Sequence, residues 1–164
     1  MGVLRIKKVI YHDHGGAHTS VVASGIHIGK LNPDETPSKE QLMDIPFFDK
    51  TTKNDFGKIK YMGIGKDGNE IYTLGTKNMD MGILLTNLVN LQGISDQFVF
   101  YNTMPYVDNR LRLGGWLSRG MSLPAIGRPL VLSGIKKEYA RISSFVKSIC
   151  SNLGGSNNEI LIGR

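Results

Sequence analysis

Three histidines, an aspartate and two hydroxyl side chains crowd into His12–Ser20, HDHGGAHTS. Hydroxyls and backbone N–H groups behind a glycine turn hold an anion, and a nearby imidazole can move a proton. The apolar residues before the run, Ile6, Val9, Ile10 and Tyr11, suit a buried strand, while Gly15 and Gly16 permit a tight turn. His18, Thr19 and Ser20 then fall where the next helix has unpaired N–H groups. The candidate anion ligands are therefore Gly15, Gly16, Ala17, Thr19 and Ser20, joined by Arg119 and Arg128 to balance charge; His14, His18 and Asp13 are the catalytic candidates.

Two known anion loops set limits on this reading. A Walker pattern laid over His12–Thr19 puts His12 and Ala17 at the glycines and His18 at the lysine, so only Thr19 fits. The CxGNxCRS loop of low-molecular-weight tyrosine phosphatases, laid over Asp13–Ser20, keeps Gly15 and Ser20. It places Asp13 at the nucleophilic cysteine and Thr19 at the arginine, so only the anion-cradling backbone carries over. For His12, Asp13, His14 and His18, a metal site and plain loop and cap hydrogen bonding are both open, and no metal ligand set is assigned. Asp49, Thr51 and Thr52 complete a polar site above the strand ends or form an Asx or Thr turn. In LGGWLSRG, Leu113–Gly120, Ser118 and Arg119 can reach an anion, with Trp116 and Leu117 expected in the core.

The elements that position these groups alternate along the 164 residues. A strand over 5–11 leads to a helix over about 17–29, and Ser38 and Gln41 match a capping box for a short helix that Pro46 ends. Phe47 and Phe48 anchor the loop that follows. Lys66-Asp67-Gly68 between alternating apolar runs predicts an antiparallel hairpin at about 58–75. A helix over 80–91, a strand over 97–101, a short helix around 115–119, a strand at RPLVLSGI and a helix over 137–152 complete the pattern, with a frayed tail at 153–164. The expected fold is one α/β domain, a mainly parallel sheet flanked by helices with the first strand central.

Composition narrows the class without choosing a ligand. The net charge of +6 is compatible with nucleic acid, anionic lipid or phosphorylated ligands; the cations form no block and no aromatic alternation, which disfavours nucleic acid. No apolar run approaches a membrane span and no secretory signal core is seen, so a cytoplasmic protein without a membrane partner is expected. Cys150, the single cysteine, excludes an internal disulfide and a cysteine-rich zinc site.

Over most of its length the chain resembles an uncharacterised family of spore-forming Firmicutes, a domain of unknown function. The blocks IYHDHGGAHTSVVASGIHIGKL, IPFFDKTTKNDFGKIKYMGIGKDGNEIYTLG and RLGGWLSRGMSLPAIGRPLVLSGIKKEY carry the resemblance. It implies that the position of Asp13 is often a cysteine, and it brings no activity or cofactor. The function expected from the residues is binding of a phosphorylated or anionic small molecule at the glycine turn, as a phosphotransfer or hydrolase enzyme. The alternative is a non-enzymatic regulatory or interaction protein that retains an anion pocket.

Overall fold

A computed structural model describes residues 6–77, 81–121 and 123–154, without the side chain of Arg119. Four strands, β1 (Lys8–Asp13), β2 (Ile59–Ile64), β3 (Glu70–Gly75) and β4 (Phe98–Asn102), form one sheet in the order β2-β3-β1-β4. β1 pairs parallel with β3 and β4, and β2 pairs antiparallel with β3. The fold is thus α/β, with β1 interior as its apolar sequence predicts. The Lys66-Asp67-Gly68 hairpin is present, its Gly68 N–H bonding the Gly65 carbonyl at 2.9 Å.

The side chains of β1 alternate between two faces. Val9 and Tyr11 enter the main core with α1 (Thr19–His27) and the long C-terminal helix α5 (Pro124–Gly154). Every residue of α1 is buried. A short α2 (Lys39–Asp44) starts at the expected capping box, where Ser38 and Gln41 exchange side-chain and backbone bonds. It stops at Ile45, which turns extended ahead of Pro46. Phe48 is fully buried and Phe47 half-buried, as anchors of the following loop should be. In contrast, α3 (Met81–Leu91) lies along β4 without burying one of its residues.

The second half corrects the sequence reading in two places. RPLVLSGI is helix rather than strand: it belongs to α5, which begins at Pro124 instead of near 137. The buried positions Val131, Gly134, Ile135, Glu138, Tyr139 and Ile142 form one stripe at helical spacing, and that stripe overrides the strand-like look of the short apolar run Leu130–Leu132 after Pro129. Upstream, α4 (Asn109–Gly115) is capped by Asp108 and runs into a π-helical turn at Trp116–Gly120, earlier than the short helix expected at 115–119. Trp116, expected in the core, is 57 % exposed. Of the tail, Leu153 and Gly154 are the last residues of α5; 155–164 lie outside the described residues.

Candidate functional site

The strand order places the site. From β1 the chain moves to β3 on one side and returns past β1 to β4 on the other, so the connections diverge between β1 and β4. Ligands of open α/β sheets collect at the carboxyl edge of such a switch point. At this edge the β1–α1 loop, His14–His18, meets the segment after β4. The His14 N–H faces Met104 Sδ at 3.2 Å, and the hydroxyls of Thr19 and Thr103 lie 3.1 Å apart.

The loop is built around Asp13. Its Oδ1 accepts the Gly16 N–H, and its Oδ2 accepts the Ser20 N–H and the Thr19 hydroxyl, each at 2.9 Å. Burial works against the charge, but the Ser20 amide, the His18 ring, the Gly16 amide and the Thr19 hydroxyl outweigh it. They hold the carboxyl below its ordinary value. Gly16 has φ +60°, and a Cβ there would stand 2.5 Å from the Gly75 nitrogen, so the turn packs directly on the end of β3. Asp13 therefore spends its carboxylate on shaping the loop. The N–H groups of Ala17, His18 and Thr19 meet no acceptor among the described residues.

A second carboxylate ties three distant segments to this loop. Asp49, at φ +50° after α2, donates its own N–H to the Ala17 carbonyl at 3.1 Å. Its side chain accepts from His18 Nε2 at 3.1 Å, from the Ser118 hydroxyl at 3.0 and 2.9 Å, and from Arg128 Nε at 2.9 Å. Burial opposes the charge here too. The bonds from His18 and Arg128, the His18 charge and Ser118 pull the carboxyl down to about 2. Ser118 and Arg128 arrive together because α4 and its π turn pack backbone to backbone on α5. A Cβ on Gly127 would stand 2.3 Å from the Ser118 nitrogen.

Of the residues the sequence nominated, the structure brings His18 and Arg128 together on Asp49, beside the loop of Asp13, Gly15, Gly16, Ala17, Thr19 and Ser20. The Arg119 side chain lies outside the described residues. His14 is exposed at the rim, its ring edge-on to Phe56 with centroids 5.8 Å apart. Thr51 donates to the Gly15 carbonyl at 3.1 Å, while Thr52 caps the turn at Lys53–Asp55 instead. Among the described residues, His12, Asp13, His14 and His18 gather no set of metal-ligating atoms. Sequence reasoning passed over Thr103, which bonds the His12 carbonyl and Thr19; a lone threonine after a strand gives no signal of its own.

The model of a family described as a protein of unknown function, DUF3189, matches residues 8–150, and the chain belongs to that family. No curated protein and no solved structure matches the chain.

Proposed function

We propose that this DUF3189 member binds a phosphorylated or otherwise anionic small molecule at the carboxyl edge of the sheet, between the β1–α1 loop and the segment after β4. The observation that carries this reading is the set of N–H groups at Ala17, His18 and Thr19, left without acceptors at the positive end of α1 beside the Asp49-held Arg128. An incoming oxyanion supplies the acceptors those donors lack, and Arg128, partly exposed, offsets its charge. The exposed imidazole of His14 at the rim supports proton exchange with such a ligand in phosphotransfer or hydrolysis.

The non-enzymatic alternative also has an observation in its favour. Among the described residues, the two carboxylates at the site, Asp13 and Asp49, are each held by three donor groups of the protein itself, which argues against either as a nucleophile.

Thermal unfolding in inorganic phosphate, sulfate and a panel of phosphorylated metabolites and nucleotides tests the proposal. A ligand at 100 times its dissociation constant adds about 2.7 kcal/mol, a readily measured rise in Tm. Arg128→Ala should reduce the rise, and Arg128→Lys should restore only part of it because the planar fork is lost. A wild-type Tm unmoved by millimolar concentrations of every anion would overturn the reading. Steep salt dependence together with tight binding to DNA or RNA would instead assign the basic surface to nucleic acid.

A further inference from the structure

A second cluster lies at the opposite, amino-terminal edge of the sheet. Lys8 at the start of β1 is in register with Glu70 at the start of β3, and the hairpin turn that carries Asp67 immediately precedes Glu70. His27, in the last turn of α1, is 1 % exposed and held at both ring nitrogens. Tyr11 Oη lies 2.8 Å from Nδ1, and Asp67 Oδ2 lies 2.9 Å from Nε2. Cys150, near the end of α5, completes the group. One ligating atom from each of His27, Asp67 and Cys150 lies within 4.8 Å of the other two.

We propose that His27 Nε2, the Asp67 carboxylate and Cys150 Sγ form a binding site for a zinc-class divalent ion, with the fourth position open to water. In a tetrahedral zinc site the bond lengths of about 2.0–2.3 Å put ligand atoms roughly 3.3–3.8 Å apart, so closure needs movements of about 1 Å. The mixed nitrogen, oxygen and sulfur donors select zinc, or cobalt in its place, over magnesium and calcium, which prefer oxygen throughout.

The surroundings orient the ligands. The Asn69 N–H and side-chain amide bond the Asp67 carboxylate at 3.1 and 2.9 Å, which holds its plane. Tyr11 Oη is placed to accept the Nδ1–H of a neutral imidazole whose Nε2 is turned to the ion. The Asp67 side chain is only 7 % exposed and His27 is buried beneath it, so the ion's way in is past the half-buried Cys150. Binding replaces the His27 Nε2–H···Asp67 hydrogen bond with two coordinate bonds: Nε2 gives up its proton, Nδ1 takes up the N–H that Tyr11 Oη then accepts, and the imidazole stays neutral. The Cys150 thiol proton passes to solvent and nothing is oxidised.

The experiment uses the full chain, reduced, stripped with a chelator and dialysed, then titrated with Co(II) and, in competition with a chromophoric chelator, with Zn(II). The expected result is one equivalent bound, with thiolate-to-cobalt charge-transfer absorption in the near ultraviolet and the visible bands of a tetrahedral ion. Cys150→Ser should abolish the charge-transfer band, and Asp67→Asn, close in shape, should weaken zinc binding at least tenfold, with circular dichroism confirming each fold. If Cys150→Ser does not fold, Asp67→Asn decides. Absence of the thiolate band in folded wild type, its persistence in Cys150→Ser, or unchanged zinc affinity in Asp67→Asn would each overturn the proposal. The anion proposal concerns the other edge of the sheet, so either can fail alone.

Discussion

Helix α1 has a histidine at each end, and each is bonded to an aspartate from a distant segment, yet the two ends are finished differently. At the amino end, Asp49 receives His18, Ser118 and Arg128, so a full cationic partner stands against its charge. At the carboxyl end, Asp67 receives His27 and the neutral amide groups of Asn69, and among the described residues no lysine or arginine pairs with it. The helix dipole sharpens the contrast, since its positive end faces two carboxylates, Asp13 and Asp49, while its negative end sits beside Asp67 and a thiol. At the first end the aspartate has an arginine of the protein's own, reached through Nε. The other is short of a cation, as the proposed metal site requires.

The largest effect should come from the amino end. Asp13→Ala removes the acceptor of three buried donors, Gly16 N–H, Ser20 N–H and the Thr19 hydroxyl, and should cost roughly 3–5 kcal/mol in urea unfolding. A loss below about 1 kcal/mol would mean that the loop does not depend on this carboxylate.

Next comes the acid limb. Asp49 falls from an ordinary 3.8 to about 2, so its stabilisation is fully present above pH 3.8 and lost as pH drops through about 2. The linkage is worth about 2 kcal/mol. Asp49→Asn should lower stability at neutral pH and flatten the acid limb over that window, measured by unfolding between pH 5 and pH 2. Asp13 and Asp67 are also held below the ordinary carboxyl value and add to the same limb, so the variant should lose part of the slope and not all of it. An acid limb unchanged by Asp49→Asn would break the contrast between the two ends.

At the carboxyl end the expected loss is smaller. Tyr11→Phe keeps the stacked ring against Tyr101 and removes only the hydroxyl at His27 Nδ1, for about 1–1.5 kcal/mol by thermal unfolding. A cost as large as that of Asp13→Ala would show that this end is a closed network as well. Lys147→Ala supplies the baseline. Its partner Asp34 and Lys147 itself are both largely exposed, so a change within about 0.5 kcal/mol is expected from the same measurement.

What the sequence made legible was local. Gly15-Gly16 followed by hydroxyls marks a strand-to-helix turn, Ser38 with Gln41 marks a helix start, and Lys66-Asp67-Gly68 marks a hairpin; each is decided within a few residues. The residues that escaped are those decided by distance in the chain. In sequence Asp49 reads equally as a turn residue or as part of a polar site; its backbone sits at φ +50°, and its carboxylate goes to His18, Ser118 and Arg128, partners that no local pattern links to it. His27, Asp67 and Cys150 come from a helix, a turn and a second helix, a spacing that matches no ligand motif. The first half of α5 reads as a strand because Leu130, Val131 and Leu132 suit one in isolation. Only packing against α4 reveals the helical stripe through Val131, Gly134 and Ile135.

The Asp13 carboxylate has a further consequence as a tethered competitor. A group carried on the same chain as its receptor acts at an effective concentration of millimolar or more, and a stiff, short connection such as three residues of loop raises it further. Dissolved phosphate cannot outcompete it for the Gly16 and Ser20 amides. The loop is thus assembled by the chain itself, and an anion of the kind proposed would meet donors already fixed in place, without the ordering cost of a flexible loop.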